Sequence, residues 1–397
     1  MRKFIVFAAI AAVFGMTFAS CTNDDEAVAA EKKATTKGLI SFNGFMDGAA
    51  MTRGYAAAAE DIQADGMSVW AFDATKAVTA DADFFMGSTT AGLAHTWDGG
   101  NSWYKAAADY FWPEYNLNFV ALTPQTGGGI GTIGISQAAS DLPVMTVAVD
   151  VPLTTESDGT YGADTQKDIM IASIENQAAI TDGSSAPLTF KHALSQIVFK
   201  GIVDNTTTIH KAVVKSIKLV NVASDGTITY DADEDAFSTG SFGTANKTYA
   251  AKIVKTDVTA TDASAADAIT GQDDNASGRD YQLMILPQSS TACTEDADND
   301  PETDPTAIAA GDLNISRTTA PVAGTYLLVN ADLYANSDNV NKVLENTTNV
   351  YIPLESTTWA PGYKYTYILK FGDNLLHPIT FTATVAEWTN ASKNVEF

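Results

Sequence analysis

A glycine-rich run at residues 129–134, GIGTIG, has the spacing of a dinucleotide-binding turn. Such a turn holds phosphate groups on the exposed amide groups of a helix that follows it. Here Pro143 and the strand-like segment 144–149 follow within a few residues, so no room remains for that helix. The sequence therefore favours a flexible loop between strands over a nucleotide site.

Two acidic segments have the alternating oxygen-bearing side chains of a calcium loop. They are DADND at residues 296–300 and DADED at residues 231–235. Pro301 and Ala236 stand where the sharp turn of a calcium loop needs glycine. We therefore predict solvated acidic loops and no metal site.

Histidine and cysteine, the usual metal ligands and catalytic bases or nucleophiles, are scattered along the chain. No two of them have metal-ligand spacing; they are His95, His192, His210, His377 and Cys293. The sequence contains no G-x-S-x-G and no H-E-x-x-H motif. A Ser-His-Asp triad assembled only by the fold stays open. The sequence itself predicts no catalytic residue, no cofactor and no enzymatic activity.

Aromatic residues are concentrated between residues 95 and 113. The cluster contains His95-Thr96-Trp97, Trp103-Tyr104 and the run YFWP at residues 110–113. Such rings either stack against sugars on a surface or fill the core of a β-sandwich. We favour the core, because six tryptophans in a β-rich chain must pack somewhere.

The first 20 residues have the pattern of an export signal. Arg2 and Lys3 precede an apolar stretch that is shorter than the roughly 20 residues of a membrane-spanning helix. The order Phe-Ala-Ser-Cys at residues 18–21 resembles a bacterial lipobox, which predicts cleavage before Cys21 and lipid on that cysteine. The acidic residues 24–26 resemble a signal for the outer face of the outer membrane. The alternative is an ordinary signal peptide with a chance cysteine.

The charge balance restricts the partners. The chain has 23 Lys and Arg against 48 Asp and Glu, a net charge of −25. Removal of Arg2 and Lys3 with the signal makes it −27. Nucleic acid and anionic membrane surfaces would repel such a chain. With Cys21 lipidated, Cys293 has no disulfide partner, so stability must come from packing.

Alternating apolar residues predict an all-β fold of β-sandwich type. The segment 363–371, YKYTYILKF, places large apolar residues at every odd position, and segments 117–121, 327–333 and 379–385 repeat the pattern. No long helical period is present, and the best helical candidates are short pieces around 106–110 in alanine-rich sequence. After the signal, 377 residues exceed what one core usually serves. We predict a tether at 21–37 and domains at 38–183 and 184–397.

Several segments together resemble the fimbrillin family, the lipoprotein precursors of type V pili of Gram-negative anaerobes. The resemblance rests on five stretches spread over the exported chain, namely Trp97 to Pro113, KDIM at 167–170, LTFKHALS at 188–195, WAPGYKY at 359–365 and ITFTATV at 379–385 with Trp388. It implies two transthyretin-like β-sandwich domains, surface fimbriae and cell adhesion.

The resemblance also implies a mechanism. A trypsin-like protease removes the lipidated segment with the first strand, and a strand from a neighbouring subunit fills the vacated groove. Residues 38–45, with Ile40 and Phe42 alternating, are the candidate first strand, and the cut falls between Arg53 and Gly54. Alternatively Arg53 is an unprocessed surface residue, and Lys37 is a weaker rival cleavage site.

Near the other end, Val395 and Phe397 have the spacing of donor-strand residues that enter a groove. Segment 379–385 has the same form but is alternatively an integral strand. The expected partners are other fimbrial subunits, the outer membrane through the lipid, and a host or bacterial receptor. A monomeric surface lipoprotein that binds glycans is the alternative function.

Overall fold

The computed structural model describes residues 38–46, 59–99, 103–152, 166–181, 183–204, 209–245, 247–272, 280–281, 283–293, 320–321, 323–335, 340, 350–372 and 380–387. This part of the chain is almost entirely β, so the predicted all-β class is confirmed. The strands are β1 Phe42–Met46, β2 Met67–Asp73, β3 Phe84–Met86, β4 Leu93–Asp98, β5 Trp103–Ala106, β6 Leu117–Thr123, β7 Ile130–Ser136, β8 Val144–Asp150, β9 Met170–Gln177, β10 Ala186–His192, β11 Ser195–Val203, β12 Lys211–Val222, β13 Asp225–Asp231, β14 Ala236–Phe242, β15 Lys247–Ala250, β16 Asp257–Val258, β17 Asp267–Ala268, β18 Gly271–Gln272, β19 Asp280–Tyr281, β20 Leu283–Ile285, β21 Gln288–Ser289, β22 Tyr326–Tyr334, β23 Val350–Pro353, β24 Thr358–Trp359, β25 Tyr363–Phe371 and β26 Thr380–Glu387.

Helical structure in the described ranges is confined to three short pieces. They are the α-helix α1, Ala59–Asp65, and the 3₁₀ turns Asp81–Asp83 and Ala263–Ala265. Gly66 follows the last residue of helix α1. Its positive φ lets its N–H donate to the Ile62 carbonyl at 2.8 Å and ends the helix. The predicted helix at 106–110 is wrong, because Ala106 ends strand β5 and the following residues form bends.

The first sheet closes on itself. Its strands run in the order β3-β2-β4-β5-β1-β10-β9-β6, and β6 also pairs with β2. Strands β2, β4, β5, β1, β10, β9 and β6 therefore form a ring, with β3 beside it. A closed ring leaves none of these seven strands with an unpaired edge along its whole length. Its interior is a separate apolar core that includes Ile40, Phe42, Tyr104, Trp112 and Phe119.

A second sheet, in the order β14-β13-β8-β7, covers the outside of this ring. Met145 and Tyr230 of this sheet share a core with Trp70 and Val120, which point outward from ring strands β2 and β6. The glycine-rich run at 129–134 lies mostly in edge strand β7 and not in the loop predicted for it. Strand β8 follows it, so the helix that a dinucleotide site needs is missing from this place.

Two further sheets form a β-sandwich in the second half of the chain. One has the order β17-β11-β25-β26, with β20 also on β11, and the other the order β15-β12-β22-β23, with β16 also on β12. Phe199 and Tyr367 of the first sheet pack in one core with Leu219 and Val329 of the second. Alternate burial along β25 follows the odd-numbered apolar positions read from the sequence.

The described sheets do not separate at residue 183. Strand β10 begins at Ala186 and yet belongs to the first ring, and the covering sheet joins β7 and β8 to β13 and β14. A division after His192 would keep the whole ring in one unit. The predicted domains 38–183 and 184–397 stay a prediction.

Candidate functional site: the groove filled by the first strand

Strand β1 is the piece that closes the ring. It pairs in parallel with β10 from Phe42 opposite Ala186 to Met46 opposite Phe190. On its other side it meets β5 at a single antiparallel pair, Phe42 opposite Tyr104. We call the space between β5 and β10 that β1 occupies the β1 groove. Neither neighbour is close to β1 in sequence, so only the chain after Met46 ties β1 covalently to the rest of the ring.

The residues before β1 also bond to the groove. The Ile40 N–H donates to the Tyr110 carbonyl at 2.8 Å, and the Trp112 N–H donates to the Gly38 carbonyl at 3.3 Å. The Ser41 carbonyl accepts from the Ala186 N–H at 2.8 Å. Loss of the segment 38–46 would leave these partners of the ring without their hydrogen bonds, which is costly unless water or another strand replaces them.

The floor of the β1 groove is apolar and aromatic. Ile40 is 2% exposed and Phe42 is fully buried. The Phe42 ring meets the rings of His95 and Phe119 edge-on, each at a centroid distance of 5.2 Å, and Trp112 meets Phe119 at 5.7 Å. Edge-to-face contacts of this kind add to the free energy of burying the rings. Strand β1 thus covers a continuous apolar surface.

His95 is the one imidazole in this floor among the described residues. It is fully buried, and its Nδ1 lies 2.9 Å from the Leu93 carbonyl oxygen. Its Nε2 has no hydrogen-bond partner in the described part of the chain. Burial lowers the pKa of His95 to about 4, against a smaller opposing effect of the Leu93 carbonyl. The imidazole is therefore neutral at pH 7 when β1 is in place.

The aromatic cluster is largely inside the ring, as we favoured from the sequence. Trp112 is 1% exposed and Tyr104 is 2% exposed, so neither offers a ring face to a sugar. Trp97 meets Tyr104 edge-on at 5.0 Å. The exposed members of the region are Phe111 and Tyr115, which follow the ring strand β5.

Three of the sequence stretches used for the family resemblance meet where β10 passes into β11. Asp168 and His192, both buried, are in hydrogen-bond contact through the Asp168 carboxylate and Nδ1 of His192. The Ser195 hydroxyl donates to the Ala360 carbonyl at 2.8 Å, and the Gly362 N–H donates to the Leu194 carbonyl at 2.8 Å. The first contact lies within the ring, and the other two fix the residues before β25 to the point where the chain leaves the ring. We call Asp168, His192, Ser195, Ala360 and Gly362 the junction cluster.

The site residues predicted from the sequence lie outside the described residues. They are Cys21, Arg53, Gly54, Val395 and Phe397. Arg53 falls in sequence between the end of β1 at Met46 and the start of α1 at Ala59. A cut there would separate β1 from every other strand of the ring. The segment proposed as an alternative donor, 379–385, is mostly in β26, which pairs with β25 along eight residue pairs and is integral to this sheet.

The described acidic segment takes part in local side-chain contacts. Asp235 of the DADED segment pairs with Lys191 and accepts a hydrogen bond from the Tyr230 hydroxyl at 2.8 Å. The DADND segment is outside the described residues. In the part of the chain that the structure describes, no group of three or more His, Cys, Asp and Glu side chains could hold a metal ion. Within the same ranges, none of the helices has the length and apolar character needed to cross a membrane.

The fold is an all-β ring closed by its first strand, and similarity to a known family identifies the class of protein. The model of the fimbrillin-like family matches residues 52–388, and the chain therefore belongs to that family. This match begins after β1. The search of curated proteins finds no match.

A solved fimbrial protein supports the fold, and two further structures resemble the chain at lower TM-scores. A fimbrial protein from Bacteroides vulgatus is 15% identical, with a TM-score of 0.51, and the match covers 88% of this chain and 99% of that protein. A candidate cell adhesion protein from Bacteroides ovatus is 14% identical, with a TM-score of 0.43 and coverage of 88% and 96%. One from Bacteroides uniformis is 13% identical, with a TM-score of 0.42 and coverage of 89% and 100%. Family membership makes this chain a cell-surface fimbrial subunit.

Sequence reasoning missed two functional features. It gave His95 and His192 no particular partners, whereas His95 lies under the first strand and His192 contacts Asp168 within the ring. A signal for His95 was present in the alternation of strand β4, LAHTWD, which places the histidine on one face. Nothing in the sequence paired His192 with Asp168.

Proposed function

We propose that this fimbrillin-like protein is a structural, non-enzymatic subunit of a type V pilus that is matured by loss of its first strand. It is exported as a lipoprotein, cut between Arg53 and Gly54 at the cell surface, and assembled when a strand of a neighbouring subunit fills the β1 groove. The fimbria then supports adhesion to a host or bacterial receptor. Two domains of transthyretin-like type, 38–183 and 184–397, belong to this proposal.

One observation supports the assembly step above all others: β1 closes the ring yet is covalently attached to it on one side only. Its partners β5 and β10 follow it by about 60 and 140 residues. A single cut after Met46 would therefore release β1 without breaking any other strand. Strand exchange needs an element of this kind.

The vacated β1 groove would bind an extended segment strongly. Burial of a large apolar side chain such as Phe42 or Ile40 contributes about 1.5–3 kcal/mol each. The unpaired edges of β5 and β10 would add backbone hydrogen bonds to any strand that enters. A strand with apolar residues at alternate positions meets both requirements. While β1 stays in place, the same groove is blocked and the precursor remains monomeric.

Val395 and Phe397 are the proposed donor residues of this chain. They follow β26, which is already committed to its own sheet through β25. The segment after Glu387 is therefore the part that is left to reach a neighbour. We expect deletion of 394–397 to weaken polymerisation while the monomer stays folded. Normal polymers from the truncated chain would exclude these residues as a necessary donor element.

The lipid on Cys21 provides the proposed outer-membrane anchor of the precursor. Lipid chains on Cys21 would insert into the membrane and hold a chain of net charge −27 at the cell surface without electrostatic attraction to lipid headgroups. Cys21→Ala should abolish labelling with fatty acid and remove the protein from outer-membrane fractions. Continued labelling of this variant would disprove lipidation at Cys21.

The decisive experiment is the replacement of Arg53 by Ala in the full chain. We expect a folded, lipidated precursor that forms no multimers after protease treatment, because β1 keeps the groove filled. Lys37→Ala is the matched control, since a cut at residue 37 would leave β1 attached, and this variant should polymerise normally. Fibres of Arg53→Ala with residues 38–53 still present would refute the mechanism.

Glycan binding by a monomer is the second candidate function. The exposed rings of Phe111 and Tyr115 are what favours it, at 45% and 41% exposure. Burial of Trp112 and Tyr104 argues against the larger platform. Measurable sugar affinity that is lost in Phe111→Ala, together with absence of multimers, would favour this function.

A further inference from the structure

His95 is placed where it responds to the presence of the first strand. Its imidazole is fully buried, and the Phe42 ring of β1 lies edge-on to it at 5.2 Å. The ring of Phe119 of β6 also contacts Phe42, at a centroid distance of 5.2 Å, and belongs to the same apolar core. Departure of β1 would remove the Phe42 ring from this contact and open the imidazole to water.

The unpartnered Nε2 is the second observation. In the described part of the chain this buried nitrogen has no hydrogen-bond partner, while Nδ1 contacts the Leu93 carbonyl. Adding a proton to Nε2 in this position would create a buried N–H and a positive charge with nothing to receive them. With β1 absent, water can accept that hydrogen bond.

Among the described residues, no charged side chain contributes to the pKa shift of the imidazole of His95. Asp98 of β4 and Lys105 of β5 pair with each other at 2.7 Å. Asp65 of α1 pairs with Lys167 at 2.6 Å. Tyr104 of β5 stays neutral because burial raises its pKa. Two apolar residues lie next to His95, namely Phe42 of β1 through its ring and Met67 of β2 as the paired residue.

We propose that His95 makes occupancy of the β1 groove dependent on pH, so that mild acid favours the open groove and neutral pH favours a seated strand. This inference rests on the proposed function, because it assigns a regulating residue to the same groove. It also sets a requirement for the incoming strand. The side chain of the incoming strand that takes the place of Phe42 must be large and apolar enough to exclude water from the His95 imidazole.

The direction and size of the pH effect on β1 opening follow from the difference in the pKa of His95 between the closed and open states. The pKa of His95 is about 4 with β1 seated, and it returns toward its ordinary value of 6.5 when the imidazole meets water. A group whose pKa is lowered in the closed state stabilises that state fully above pH 6.5 and loses the contribution as the pH falls toward 4. Between pH 7.5 and pH 5.0 the equilibrium constant for opening should rise about 30-fold.

Hydrogen-exchange mass spectrometry on the uncut chain tests this. After correction for the intrinsic pH dependence of exchange, peptides covering residues 38–46 should report the 30-fold rise in the wild type. His95→Gln should show less than a threefold rise, since glutamine does not titrate. His210→Gln is the matched control, because His210 is exposed, and it should behave like the wild type. Peptides from β12 and β22 identify any global unfolding.

Two results would overturn the proposal: no rise in the wild type, or an equal rise in His95→Gln. If His95→Gln does not fold, NMR titration of the imidazoles in the wild type decides, because a pKa of His95 near 6.5 with β1 seated would also refute it. Neither experiment needs cleavage or assembly. A flat pH response would therefore leave the Arg53→Ala test untouched, and normal fibres of Arg53→Ala would leave the pH response of the precursor standing.

Discussion

Phe42 is the side chain whose removal should most directly loosen the first strand. It is fully buried in the β1 groove and touches two rings edge-on at 5.2 Å. A buried Phe→Ala change typically costs about 3–5 kcal/mol, from lost transfer free energy and the cavity that remains. Both of these ring contacts are with strands other than β1, and both are lost when β1 leaves. We therefore expect the cost to fall on the seated state of β1.

The measurable consequence is a change in the local opening of β1. Every 1.4 kcal/mol is about tenfold in an equilibrium constant, so Phe42→Ala should raise the opening constant by about 100-fold or more at pH 7.5. Hydrogen exchange of peptides covering 38–46 in the uncut chain measures this constant. Peptides from β12 and β22, in the other half of the chain, should keep their wild-type protection.

Asn43→Ala is the matched control, because Asn43 lies in the same strand, points to the opposite face and is only half-buried. It should change the opening constant by less than about threefold, as surface substitutions usually do. A rise below tenfold in Phe42→Ala, or equal rises in the two variants, would show that the Phe42 contacts do not hold β1 in the groove.

Two further substitutions test the neighbouring contacts. Gly38→Ala would bring a methyl group against the Ile180 carbonyl and should destabilise the start of β1 by about 1–3 kcal/mol, whereas Gly134→Ala, which has open space around it, should be neutral in thermal unfolding; equal stability of the two would contradict the packing described. Asp168→Asn replaces the buried carboxylate that contacts His192 and should lower the free energy of unfolding by about 1–3 kcal/mol, while Lys105→Ala, which breaks the partly exposed pair with Asp98, should cost no more than about 1 kcal/mol in denaturant titrations. If Asp168→Asn costs no more than Lys105→Ala, the contact between Asp168 and His192 does not stabilise the junction cluster.

Local alternation predicted much of the strand content from the sequence. The segment 363–371 is strand β25 with the bounds that its pattern indicates, and 117–121 lies within β6. Period-2 alternation is a property of neighbouring residues, so a single sequence displays it. The glycine-rich run was placed in a loop because its glycines hide this alternation, although it pairs with β8 as an edge strand.

The pairing of strands that are distant in the chain could not be predicted from the sequence. Nothing in residues 42–46 indicates that they run parallel to residues 186–190, and the closed ring depends on that pairing. The burial of His95 has the same origin, because it is Phe42, some 50 residues earlier, that covers the imidazole. Helix α1 was missed because seven residues are too few to show a helical period, and its one clear marker was Gly66 at the C-terminal end.

The parallel pairing of β1 with β10 has a consequence for how the chain folds. During synthesis and export β1 emerges first, but the residues that pair with it, 186–190, emerge about 140 residues later. Contacts of such high sequence separation make folding slow, because the entropy of closing a long loop must be overcome before they form. Until β10 arrives, Phe42 can pair only with β5, through the single pair with Tyr104. Strand β1 thus completes its pairing only after a long stretch of chain has followed it, and we expect it to be among the first elements to leave when the folded protein opens.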